Sequence, residues 1–199
     1  IGFFIKAISD DSAHIYARNA LYSIDTEDGI KTLLRGIAEN QQFVHEFLDN
    51  ESIFNKKDKQ ADKALIESLR KYSDQENRNL IKKLIITAFT GEKNYRAGDS
   101  YFLQQLALLV KSKEPNYLQE IISTIRDLQE EKNRVFINDI EGVISVLLDI
   151  DQLAELKNVF NDTLHHHAGY AFAEAIRLAT KNGNPNGPAI LKKGIELGI

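Results

Sequence analysis

Cysteine, methionine and tryptophan are absent from this 199-residue chain, and proline occurs only three times. Without cysteine there are no disulfides, no thiolate nucleophile and no cysteine-ligated zinc. A helix-rich chain without methionine is unusual, because Met forms helices well and fills irregular core gaps. No apolar run approaches the length of a bilayer crossing; the longest, Leu106 to Val110, reads as the core of a buried helix. Positive charge is not in excess either. With 25 Lys+Arg against 29 Asp+Glu the net charge is -4, so no global field draws the chain onto phosphate backbones, and a nucleic-acid partner is not expected.

Basic residues do gather between Lys56 and Lys83, and acids between Glu114 and Glu155. The basic stretch lacks the interleaved aromatic rings of a single-strand binder, so both stretches read as solvated helix faces carrying charge pairs. The N-terminal IGFFIKAIS lacks the basic start and small-residue cleavage site of a signal peptide. It reads as a short helix with Phe4, Ala7 and Ile8 inward. These features predict a cytoplasmic protein, or one delivered into a host cytosol, without a transmembrane segment.

What is present is helical periodicity. Apolar side chains recur at three- and four-residue spacing in nearly every long stretch, which stacks them on one side of a helix. Ala13, Tyr16, Ala17, Ala20, Leu21 and Ile24 form a first stripe. Asp25 or Thr26 then caps a helix whose inner face is Ile30, Leu33, Leu34, Ile37 and Ala38. Phe43, Val44, Phe47 and Leu48 follow, and residues 49–58 read as a loop. Ala61, Ala64, Leu65, Leu69 and Tyr72 make another stripe. Ser73 and Asp74 can cap the next helix, which carries Leu80, Ile81, Leu84, Ile85, Ala88 and Phe89 and stops at Gly91. Tyr101–Val110 is the most uniformly apolar helix.

Pro115 is placed to open the helix of Leu118, Ile121, Ile122, Ile125 and Leu128. Then come Ile140, Val143, Ile144, Leu147 and Leu148; Leu153, Leu156, Phe160 and Leu164; and Ala171, Phe172, Ala175, Ile176 and Ala179. Gly183 closes that helix, and Pro188 opens a last one through Leu197. Asp149, Asp151 and Glu155 lack the glycine and closing glutamate of a calcium loop and read as helix N-capping residues. Gly183–Pro188 lacks the spacing of a phosphate loop and reads as a capped tight turn.

The predicted fold class is all-α: stacked antiparallel helix pairs of the α-solenoid or ankyrin-like kind, or a multi-helix globular bundle. Pairs of about 33 residues match the length of known helical repeats, although no repeat register is visible by inspection. One helical domain over 1–199 is expected, with a division into N-terminal helices (1–90), a loop (91–99) and C-terminal helices (100–199).

Thr163-Leu164-His165-His166-His167-Ala168, followed by Glu174, Ile176 and Gly183, resembles the TPLHxAA opening of an ankyrin repeat with its second-helix Glu, aliphatic residue and terminal Gly. The residue between Thr and Leu is absent, and His167 stands where the family has alanine. A weaker echo runs from Thr32-Leu33-Leu34 to Asn50. The resemblance implies paired antiparallel helices with projecting turns, a protein-binding concave face and no catalysis.

Three adjacent histidines suggest a metal site, but successive helical residues point about 100° apart, so His165, His166 and His167 cannot share one ion if helical. A helical metal-dependent hydrolase would need Asp162, His166, His167 and Glu174 together. The 29 acids offer pairs everywhere and no GxSxG elbow occurs, so no catalytic residue, cofactor or metal is assigned. The expectation is instead a non-catalytic interaction or scaffold module, or a regulatory domain of a bacterial effector. Its partner is another protein, contacted through Tyr95 and Arg96 in the 92–99 loop and through Tyr117 and Tyr170 near helix ends.

Overall fold

The computed structural model describes residues 3, 7, 20, 23–39, 59–89, 101–130, 140–163 and 167–199. Among these residues the protein is all-α, with nine α-helices, one short 3-10 helix and no strand. No described helix is long and apolar enough to cross a membrane. The helices are α1 (Glu27–Ala38), α2 (Lys59–Lys71), α3 (Gln75–Phe89), α4 (Tyr101–Lys111), α5 (Tyr117–Glu130), α6 (Glu141–Leu147), α7 (Leu153–Thr163), α8 (His167–Lys181) and α9 (Gly187–Glu196), with the 3-10 turn at Ile150–Gln152. The chain divides into two compact units: Ile1–Ala88 with Ser100–Val110, and Phe89–Asp99 with Lys111–Ile199. Residues 100–110 thus group with the N-terminal helices rather than with the C-terminal ones.

In the first unit, α1 starts where its cap residue dictates. The Thr26 hydroxyl accepts the Gly29 N–H at 3.2 Å, satisfying one of the free donors of the first turn. All five expected inner residues, Ile30, Leu33, Leu34, Ile37 and Ala38, are buried. In α2 the buried side is Leu65, Ile66, Ser68 and Leu69, whereas Ala64 is exposed. The helix is rolled relative to the expected stripe because burying an isoleucine removes far more apolar surface than burying an alanine. The core is completed by Ile81, Leu84, Ile85, Ala88 of α3 and Phe102, Leu103, Leu106, Val110 of α4. Full burial of each large aliphatic or aromatic side chain contributes about 1.5–3 kcal/mol.

Polar contacts fix the register of α1 on the α2–α3 turn. Asp74 caps α3 by accepting the Asn77 N–H at 2.7 Å, and buried Asn77 donates its amide to the Tyr72 carbonyl. Lys31 lies 3.2 Å from Asp74 and 3.1 Å from Glu76, while Arg35 also pairs with Glu76. Asp25 accepts from Ser68 and Lys71, each at 3.3 Å, and its carbonyl accepts the Tyr72 hydroxyl.

The second unit is organised around α8, which packs on α6, α7 and α9. Its inner side is the expected Ala171, Phe172, Ala175, Ile176 and Ala179, joined by Leu178. Gly183 ends it at φ 76°. There the Asn184 N–H reaches the Ala179 carbonyl at 2.9 Å and the Gly183 N–H the Thr180 carbonyl at 3.4 Å, the pairing of a Schellman cap. The same device closes α9 at Gly198, φ 68°, with Ile199 bonded to Gly194 and Gly198 to Ile195, both at 3.0 Å.

Buried Asn184 fastens this turn to α6. Its amide donates to the Ser145 and Leu148 carbonyls at 2.9 and 3.0 Å, and its own oxygen accepts the Asn186 N–H. Asn182 adds a bond to the Ser145 hydroxyl. The Gly183–Pro188 segment is therefore a self-closed turn, as expected. α9 then runs back along α8 with Pro188 inside its first turn. A methyl at Gly187 would lie 2.7 Å from the Thr180 backbone, and one at Gly194 would lie 2.9 Å from Ile176, so both glycines set the spacing of the pair.

Two expected helix starts are corrected. α5 begins at Tyr117, with Pro115 two residues earlier in the turn, because the Asn116 carbonyl accepts the first helical bond, from Glu120. Asp149 precedes the 3-10 turn but makes no side-chain cap bond there. Its carboxylate is taken by Lys111 at 2.9 Å, and the same ammonium donates to the Leu147 carbonyl at 2.8 Å. The cation neutralises the negative end of α6, which outcompetes a local cap. Of the residues with a predicted role, 4, 8, 13–21 apart from Ala20, 43–58, Gly91 and Leu164 lie outside the described residues.

Two outcomes are expected. Gly187→Ala drives a methyl into backbone and should cost about 1–3 kcal/mol in urea unfolding. Gly183→Ala meets open space and pays only the left-handed backbone penalty of about 1 kcal/mol; equal and negligible losses for both would contradict the close-packed pair. Second, Asp74 is held below the usual carboxylate range first by the Asn77 N–H and then by Lys31, and Glu76 by Arg35 and Lys31. A lowered folded pKa contributes stability that is present above the unfolded value and is lost as pH falls through the folded one. The thermal midpoint should therefore drop below about pH 4. The Asp74→Asn, Glu76→Gln double variant should show a shallower acid slope, and an unchanged slope would remove this assignment.

Candidate functional site

The outer side of α8 is the best defined exposed surface among the described residues that carries an expected contact residue. With Ala171, Phe172, Ala175, Ile176, Leu178 and Ala179 buried, helical periodicity leaves Tyr170, Glu174, Arg177 and Lys181 on one outward line. Tyr170 stands in the first turn and is 73% exposed. One turn on, the Arg177 Nε donates to Glu174 Oε2 at 2.7 Å while Nη2 bonds the other oxygen, a two-point pairing that fixes both side chains. That guanidinium holds the Glu174 carboxyl below its ordinary range, and the carboxylate in turn raises Arg177.

The line therefore presents an aromatic ring, a positioned guanidinium and an exposed lysine on a rod whose far side is anchored against three other helices. Its chemistry suits contact with a protein: the ring offers area at low entropy cost and the guanidinium offers directional donors. Nothing in the line supplies a nucleophile beside a base. Both Glu174 oxygens are committed to Arg177, so the acid that a metal reading would use is already engaged. Among the described residues no group of three or more His, Asp and Glu could hold a metal ion. Asp162 lies in α7 and His167 opens α8, while His165 and His166 lie outside the described residues.

The remaining expected contact residues fare differently. Tyr95 and Arg96 lie outside the described residues. Tyr117 is 2% exposed, so its ring belongs to the core and the reading of it as an outward anchor is corrected. It is the first residue of α5, and the inward side of that helix begins there and continues through Leu118, Ile121 and Ile122. A tyrosine next to a turn looks exposed in sequence, but its helical phase turns it inward. Its buried hydroxyl has no hydrogen-bond partner among the described residues. Burial, reinforced by Glu120 and Glu114, pushes the phenol well above its ordinary pKa.

Arg177 and Lys181 were not singled out from the sequence, although their spacing from Tyr170 on the polar side of the α8 stripe carried the signal. Leu191 and Ile195 of α9 were also missed; they stand 36% and 71% exposed. No protein family, no curated protein and no solved structure matches the chain.

The contrast between the two tyrosines is measurable. Tyr117→Phe removes an unpaired buried hydroxyl and should leave unfolding free energy unchanged or raise it by up to about 1 kcal/mol. Tyr117→Ala should cost about 3–5 kcal/mol. Tyr170→Ala should fall within about 0.5 kcal/mol of the parent. A large loss for Tyr170→Ala in chemical denaturation would show that this ring serves the fold rather than a surface.

Proposed function

We propose that the chain is a non-catalytic protein-interaction module that grips its partner through the outer line of α8, with Tyr170 as the anchoring ring and Arg177 and Lys181 as flanking donors. The observation that carries this reading is the exposure of Tyr170 on a helix whose opposite side is buried against α6, α7 and α9. A large ring held out by a rigid support loses little freedom on binding, which is what an interface anchor requires. The ankyrin-like segment Thr163–Gly183, which spans α8, supports the same class of function by resemblance. The positive members of the line favour a partner whose contact surface is acidic, since complementary charge speeds encounter and fixes orientation.

Immobilised chain should capture one or more proteins from a cell lysate, identified by mass spectrometry. A Tyr170→Ala, Arg177→Ala variant of unchanged circular dichroism should lose them, with affinity for the purified partner falling by about tenfold or more. Identical capture by the variant would exclude this surface. Turnover of any small molecule by purified protein would overturn the class.

A further inference from the structure

We draw no further inference here: the strongest candidate, the exposed apolar face of α9 that carries Leu191 and Ile195, has nothing in the structure to show what covers it.

Discussion

Helices of seven to fifteen residues do not hold themselves together in water, and every α-helix described in this protein falls in that range. Each exists because an apolar stripe is covered by a neighbour, so the constraint on the whole structure is the mutual burial of those stripes. The α8–α9 pair shows how narrow the tolerance is. Gly187 lies against the backbone of Thr180 and Gly194 against Ile176, at separations where an added methyl would collide. At that spacing dispersion contacts are near their optimum, and the helix is held rigidly enough to present its other side as a fixed surface.

Polar groups serve that packing by deciding register. Asn184 ties the α8–α9 turn to the Ser145 and Leu148 carbonyls, and Lys111 closes the end of α6 while pairing with Asp149. In the first unit the Lys31, Arg35, Asp74 and Glu76 network plays the same part at the solvent edge, where its contribution is modest and its value is positional. The exposed surface is then what the packing leaves over. Tyr170 and Ile195 are exposed because their helices satisfy their inner faces without them.

The elements themselves were legible in the sequence because local chemistry specifies them. Thr26 and Asp74 act as caps, Gly183 adopts the left-handed conformation that ends a helix, and the stripes of α1 and α8 are buried residue for residue. The errors arise where two local candidates compete and a distant partner decides. Asp149 could cap the 3-10 turn, yet Lys111, far away in sequence, takes its carboxylate. Tyr117 could face outward from its turn, yet the phase of α5 sends it into the core. Ala64 yields its place to Ile66 because the neighbouring helices reward the larger side chain. The exposure of Tyr170 near a helix end was legible, whereas that of Arg177, Lys181, Leu191 and Ile195 emerged only once burial separated the two sides of α8 and α9.

Periodicity, caps and the absence of cysteine settled by themselves that this is a protein of packed helices, since those properties depend on residues within a few positions of each other. Which stripe meets which, which carboxylate a lysine captures and which apolar faces remain uncovered were decided by the tertiary structure alone, because each is a choice between partners that the chain brings together only when folded.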